Sequence, residues 1–177
     1  MSIVPLHVIH LDQDDPKKCT ARKLESLGLV KMHSKPGDAP RRGFLLDPTT
    51  TTILGPEDRK LIELGGSLVV LDCSWKRIEE SLGIIERKTK LERRILPSLL
   101  AANSVSWGNV GRLSSVEALA ATLAILGFME QASIILQPFQ FGEQFLELNR
   151  EPLVDYANAT SRKHIEELQY DYFLQGL

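Results

Sequence analysis

Ser67-Leu68-Val69-Val70-Leu71 is the stretch on which the fold turns. Its β-branched and leucine side chains run without polar alternates, so a strand built from it needs cover on both faces, as parallel strands do. Working outward, Gly65-Gly66 closes a helix that Pro56 opens and that carries Leu61 and Ile62. Gly43 to Leu46 reads as a short strand ended by Asp47-Pro48, and Ser34 to Pro40 as a loop. Leu29 to Met32 is a further strand candidate. Thr20 is placed to cap a short helix that carries Leu24 and Leu27 and stops at Gly28. Ile3 to Ile9 is another buried-strand candidate, in which Pro5 demands an edge position or a late start. Strands alternating with short helices predict an α/β half with a largely parallel sheet.

After about residue 92 the pattern changes. Ser114 and Glu117 form a capping box ahead of Val116, Leu119, Leu123 and Leu126 at helical spacing. That helix is predicted to reach the mid-130s and to end before Pro138. Phe141, Phe145 and Leu148 mark another helix, Glu151-Pro152 opens a third, and Ile165, Leu168 and Tyr172 mark a fourth. No strand pattern is visible here. The expected organisation is therefore an α/β domain over 1–92 and an all-α domain over 93–177.

The chain has 177 residues, 43% hydrophobic and 25% charged, which fits one ordinary globular domain or two small ones. No apolar run approaches the ~20 residues of a membrane span, and the first residues lack a signal peptide's pattern. Two cysteines, Cys19 and Cys73, are too few for a disulfide scaffold or an all-cysteine zinc site. A soluble cytoplasmic monomer without membrane contact is expected. The net charge of −2 hides an asymmetry: residues 1–100 hold 17 basic against 14 acidic side chains, residues 101–177 hold 4 against 9. A local phosphate-binding face on the first half is compatible with that balance.

Three stretches could carry chemistry. Asp12 to Thr20 leads into a helix start with Lys17 and Lys18 alongside, which suits an anion and equally suits a plain solvated cap. Asp72-Cys73-Ser74-Trp75 directly follows the strongest strand, where open α/β sheets place their ligands. It also fits a helix cap with a packed tryptophan. Arg87-Lys88-x-Lys90-x-x-Arg93-Arg94, with Trp107 nearby in sequence, could track a nucleic-acid backbone or form a salt-bridged surface. His7 and His10 read as structural, no metal site is indicated, and neither a G-x-G-x-x-G nor a Walker loop is present.

Taken in order, Asp15-Pro16-Lys17-Lys18-Cys19-Thr20, Leu46 with Pro48, Asp72-Cys73-Ser74-Trp75, and Arg93-Arg94 with Leu96-Pro97 resemble the small-subunit ribosomal RNA aminocarboxypropyltransferases of archaea and eukaryotes. Ala101-Ala102-Asn103, Val105 with Gly108, Leu113 with Glu117-Ala118, and Phe145-Leu146-Glu147-Leu148-Asn149 extend the likeness over nearly the whole chain. The lack of long extensions suggests an archaeal member. The chain departs from the family where Asp47 stands for the usual Ser, and where Ser106 and Trp107 stand for Asn and Tyr.

The resemblance implies a SPOUT-like α/β half with a deep trefoil knot, joined to the helical half, with the cofactor site at the junction. It implies transfer of the 3-amino-3-carboxypropyl group of S-adenosylmethionine to N3 of a modified uridine or pseudouridine in small-subunit rRNA, within the pre-ribosomal small subunit, releasing 5′-methylthioadenosine. The cofactor residues it implies are Thr20, Leu46, Pro48, Leu71, Asp72, Trp75, Leu96, Leu113 and Ala118, with Asp72 the candidate catalytic group. RNA contacts are expected from Lys17, Lys18, Arg22, Lys23, Arg87, Lys88, Lys90, Arg93 and Arg94. A SPOUT-type RNA methyltransferase and a non-catalytic ribosome-assembly factor are the alternative readings.

Overall fold

The computed structural model describes residues 2–11, 19–72 and 77–174. Five strands, β1 (Leu6–His10), β2 (Lys31–His33), β3 (Gly43–Leu46), β4 (Ser67–Asp72) and β5 (Glu92–Arg94), form one sheet in the order β2-β1-β4-β3-β5. Every pairing is parallel. β4 is central and buried at all six positions, as its unbroken apolar run requires. β1 makes the late start that Pro5 imposes, and the Pro5 carbonyl still accepts from Leu68 N at 2.9 Å. Gly43 sits at φ +140°, where a Cβ would lie 2.0 Å from Ser67 O, so only glycine lets β3 begin this close to β4.

Helices α1 (Thr20–Ser26), α2 (Arg59–Glu63) and α3 (Ile78–Glu86) lie between strands, and α4 (Ser115–Ile125), α5 (Met129–Leu136), α6 (Gly142–Leu148), α7 (Arg150–Asn158) and α8 (Arg162–Gln169) follow the sheet. The expected fold class is thereby corrected. In place of a SPOUT-like knotted half and a purely helical half, the chain has a five-stranded parallel sheet with helices spread along its length. β5 reaches Arg94, and Leu100 bridges Val110 in antiparallel fashion, so the region after residue 92 is not all-α. Glu92-Arg93-Arg94 carries no strand signature because an edge strand is held by backbone hydrogen bonds, which side-chain patterning does not report.

The chain forms two compact units. One comprises residues 1–51 and 61–95, the other 52–60 and 96–177. In the first, Ile9, Leu45, Val69 and Leu71 pack one sheet face against Leu82, Ile85 and Leu91. In the second, α4 is buried almost all round, Tyr156 donates from its buried hydroxyl to Ser98 O at 3.0 Å, and Asn149 pins Leu100 through both its N–H and its carbonyl.

The single helix expected up to the mid-130s is two. Gly127 at φ +96° ends α4, and Phe128 N bonds back to Leu123 O at 2.7 Å. The Arg59 guanidinium donates to the freed carbonyls of Ile125 and Leu126 and to that of Ala157. Arg162 similarly ties Asp58, at 2.9 Å, and the Ile53 carbonyl to the start of α8.

Candidate active site

β1 and β4 are neighbours whose onward connections leave in opposite directions, β1 toward β2 and β4 toward β5 across β3. Such a switch point opens a crevice at the carboxyl ends of the strands. The last residues of these two strands, His10 and Asp72, are register partners. Strand alternation puts His10, Asp72 and Leu46 on the sheet face opposite Ile9, Leu45 and Leu71.

Four side chains converge there. His10 Nδ1 lies 2.8 Å from Asp72 Oδ2, and the Cys19 thiol donates to the same oxygen at 2.8 Å. Arg22 Nη2 is 2.9 Å from His10 Nε2. A guanidinium can only donate, so Nε2 accepts and the ring proton sits on Nδ1, donated to Asp72. His10, Cys19 and Asp72 are each under a tenth exposed. Burial, and then the bond to Asp72, push the Cys19 thiol up to about 11, so it stays a protonated donor at neutral pH.

One ligand atom from each of His10, Cys19 and Asp72 lies within 4.8 Å of the others, close enough to be read as a possible metal cluster. Coordination would take the Cys19 thiolate and would break both bonds to Asp72. The hydrogen-bonded relay is the arrangement that the distances describe.

The other expected cofactor residues fall as follows. Thr20 is the first residue of α1, with Cys19 in extended conformation as its N-cap, one residue earlier than expected. Leu46 is buried at the end of β3 and Pro48 is exposed just beyond it. Leu71 packs into the core with Leu82 and Ile85. Leu96 and Leu113 are partly buried, and so is Ala118 on α4. Trp75, Lys17 and Lys18 lie outside the described residues.

The cationic strip divides. Arg87 ends α3, and Lys88 and Lys90 are exposed, sharing with Arg41 a shallow hollow edged by Pro36 and Pro40. Arg93 instead pairs with Asp47 at 3.1 Å and Glu86 at 3.0 Å. Arg94 pairs with Glu92 at 2.7 Å and lies 5.0 Å over the Phe44 ring. Asp47 is 1% exposed and also takes Thr49 N and Oγ1, so the departure from Ser anchors the turn after β3. Arg22 and Lys23 are exposed on α1, Arg22 turned toward His10.

Reading the sequence missed His10 and the partnership of Cys19 with Asp72. The available signal was positional: His10 closes one buried strand as Asp72 closes another.

A parallel α/β protein with a buried polar relay at the carboxyl ends of its central strands is the class that this geometry defines. Comparison with known proteins narrows it. The family model "Ribosome biogenesis protein, C-terminal" matches residues 44–173. A second, "Possible Fer4-like domain in RNase L inhibitor", matches residues 4–37, although Cys19 is the one cysteine in that span and an iron–sulfur cluster takes four thiolates.

A 16S rRNA aminocarboxypropyltransferase of Methanosarcina acetivorans is 44% identical over 96% of this chain and 94% of its own length. One from Thermoplasma acidophilum is 42% identical over 97% and 100%. The solved SAM-dependent rRNA:acp-transferase of Vulcanisaeta distributa superposes with a TM-score of 0.81 at 33% identity, covering 96% of this chain and 98% of that one. The chain belongs to the ribosome biogenesis family whose archaeal members carry the name 16S rRNA aminocarboxypropyltransferase.

Proposed function

We infer that this chain is an rRNA aminocarboxypropyltransferase, taking the 3-amino-3-carboxypropyl group from S-adenosylmethionine and delivering it to N3 of a modified uridine or pseudouridine in small-subunit rRNA. The observation that carries this reading is the identity of 40–44% to relatives of that name, each matched over nearly its full length. The donor set fits the methionine cosubstrate in kind: a buried carboxylate for a cationic group and an apolar side chain, Leu46, on the same sheet face. Asp72 and Leu46, with Trp75 and Thr20, would hold it on the first unit. Leu96, Leu113 and Ala118 are the second unit's assigned contacts. When bound, the sulfonium supplies three electrophilic carbons and a good leaving group.

The chain's own residues then select and orient. Presenting the first carbon of the aminocarboxypropyl chain in line with the acceptor nitrogen, at near-attack distance, is a positioning task. Asp72 is the group assigned to the reacting edge, where its carboxylate can take the proton that N3 gives up. His10 and Cys19 fix its orientation by two bonds to Oδ2. Lys17, Lys18, Arg22, Lys23, Arg87, Lys88 and Lys90 are assigned to phosphate contacts; Arg93 and Arg94 share that assignment with their ion pairs. Among the described residues no helix is long and apolar enough to cross a membrane.

The test is a product assay with 16S rRNA and S-adenosylmethionine labelled on both the methyl and the aminocarboxypropyl carbons. Release of 5′-methylthioadenosine with label in the RNA is expected. S-adenosylhomocysteine would mark a methyltransferase, and absence of turnover an assembly factor.

A further inference from the structure

We propose that the loop from Asn103 to Arg112 is a platform on which a single-stranded RNA base stacks, with the Trp107 indole as its surface. The proposal rests on the rRNA acceptor just inferred, and assigns a contact that reading does not contain.

Exposure is the first observation. Val105 is 72% exposed, Trp107 58% and Val110 47%, the densest run of exposed large apolar side chains among the described residues. Leaving an indole in water is unfavourable, and a floppy loop would fold it back onto the surface.

This loop cannot fold back. Glu117, fully buried, accepts from Ala102 N, Asn103 N, Asn103 Nδ2 and Ser114 N at 2.7 to 3.0 Å. Asn103 Oδ1 accepts in turn from Val105 N and Ser106 N. Gly108 N donates to Ala101 O, Ala101 N to Asn109 O, and Gly111 N to Leu99 O, with Gly108 and Gly111 both at φ +76°. A backbone fixed at both ends presents its aromatic ring without an ordering cost on binding.

Charge selects the occupant. Residues 96–116, in the second unit, contain Arg112 and no acidic residue, whereas residues 101–177 as a whole hold nine carboxylates. Exposed Ser104 and Asn109 interrupt the apolar side chains, which suits one flat base with a phosphate near exposed Arg112 better than a broad protein interface. Stacking tolerates any base, so short oligouridine is an adequate probe.

Binding of fluorescein-labelled oligouridine at low salt, followed by anisotropy, tests the platform on the full chain. Trp107→Ala is expected to weaken binding by roughly tenfold, Trp107→Phe to recover most of it, and calorimetric affinity for S-adenosylmethionine to stay unchanged in both. Equal RNA affinity in Trp107→Ala and the wild type would overturn the platform and leave the acceptor reading standing. No RNA binding by the wild type would overturn both. If sedimentation without RNA shows a self-association that Trp107→Ala abolishes, the surface belongs to a second copy and the platform is overturned.

Discussion

Asp72 and Glu117 are both buried carboxylates, and they are buried differently. Glu117 closes its shell on three backbone N–H groups and one side-chain amide, none of which titrates near neutrality. Asp72 is met by a thiol and an imidazole, and the imidazole is met by a guanidinium. A carboxylate that satisfies main-chain donors freezes a backbone. One whose partners among the described residues are ionisable side chains holds protons in place. Glu117 thus serves the shape of its loop, whereas Asp72 is set up for the proton-handling role proposed for it.

The largest effect that would break this contrast is at Glu117. Glu117→Ala strands buried N–H groups at Ala102 and Asn103 and a partly buried one at Ser114, and should lower the unfolding free energy by about 3–5 kcal/mol in urea titrations. A loss below about 1 kcal/mol would mean that the loop does not depend on it.

Asp72→Asn should reverse the pattern. Release of 5′-methylthioadenosine is expected to fall by about a hundredfold or more, the low end of what a proton-handling group contributes, with a smaller stability change than Glu117→Ala gives. A thermal melt beside the rate assay separates the two effects. Unchanged turnover would reduce Asp72 to a structural partner of His10.

The relay is also legible in Cys19. With its pKa pushed up to about 11, it should alkylate with iodoacetamide at pH 8 at least roughly tenfold more slowly than a free thiol, by site-resolved mass spectrometry. In Asp72→Asn the rate should rise, since the hydrogen bond and negative charge that oppose the thiolate are removed.

The smallest effect comes from a second imidazole pair, on the sheet face opposite the relay. His7 Nδ1 lies 2.9 Å from His33 Nε2, and the rings stack at 5.2 Å. Burial first, then His33 and Lys31, hold His7 down to about 4; burial and Lys31 also lower His33, against the opposing charge of Asp38. The unfolded chain therefore binds more protons between about pH 6.5 and 4, so stability conferred by the neutral pair is present above that window and is lost as pH falls through it. His7→Phe should flatten the acid limb of a stability–pH curve over that range.

What could be read in advance followed physical range. The burial of β4, the late start of β1, and the capping box at Ser114 are set by side chains a few residues apart, and each stands as expected. β5 escaped notice because Glu92-Arg93-Arg94 is placed by backbone pairing to β3, and its arginines by Asp47, Glu86 and Glu92. The break between α4 and α5 was hidden because helical spacing continues past Gly127. It is settled by that residue's positive φ and by Arg59, distant in sequence, taking the last carbonyls.

The sequence by itself determined the parallel α/β character of the first half, the helices of the second, Asp72 as the leading polar candidate, and the family likeness. Those follow from local hydrophobic period, turn residues and motif order, all carried by neighbouring residues. Only the tertiary structure decided that Asp72 has His10 and Cys19 as partners, 62 and 53 residues away, and that Glu117 braces the loop that bears Trp107. Strand register and loop closure create those contacts, and neither leaves a periodic trace in the chain.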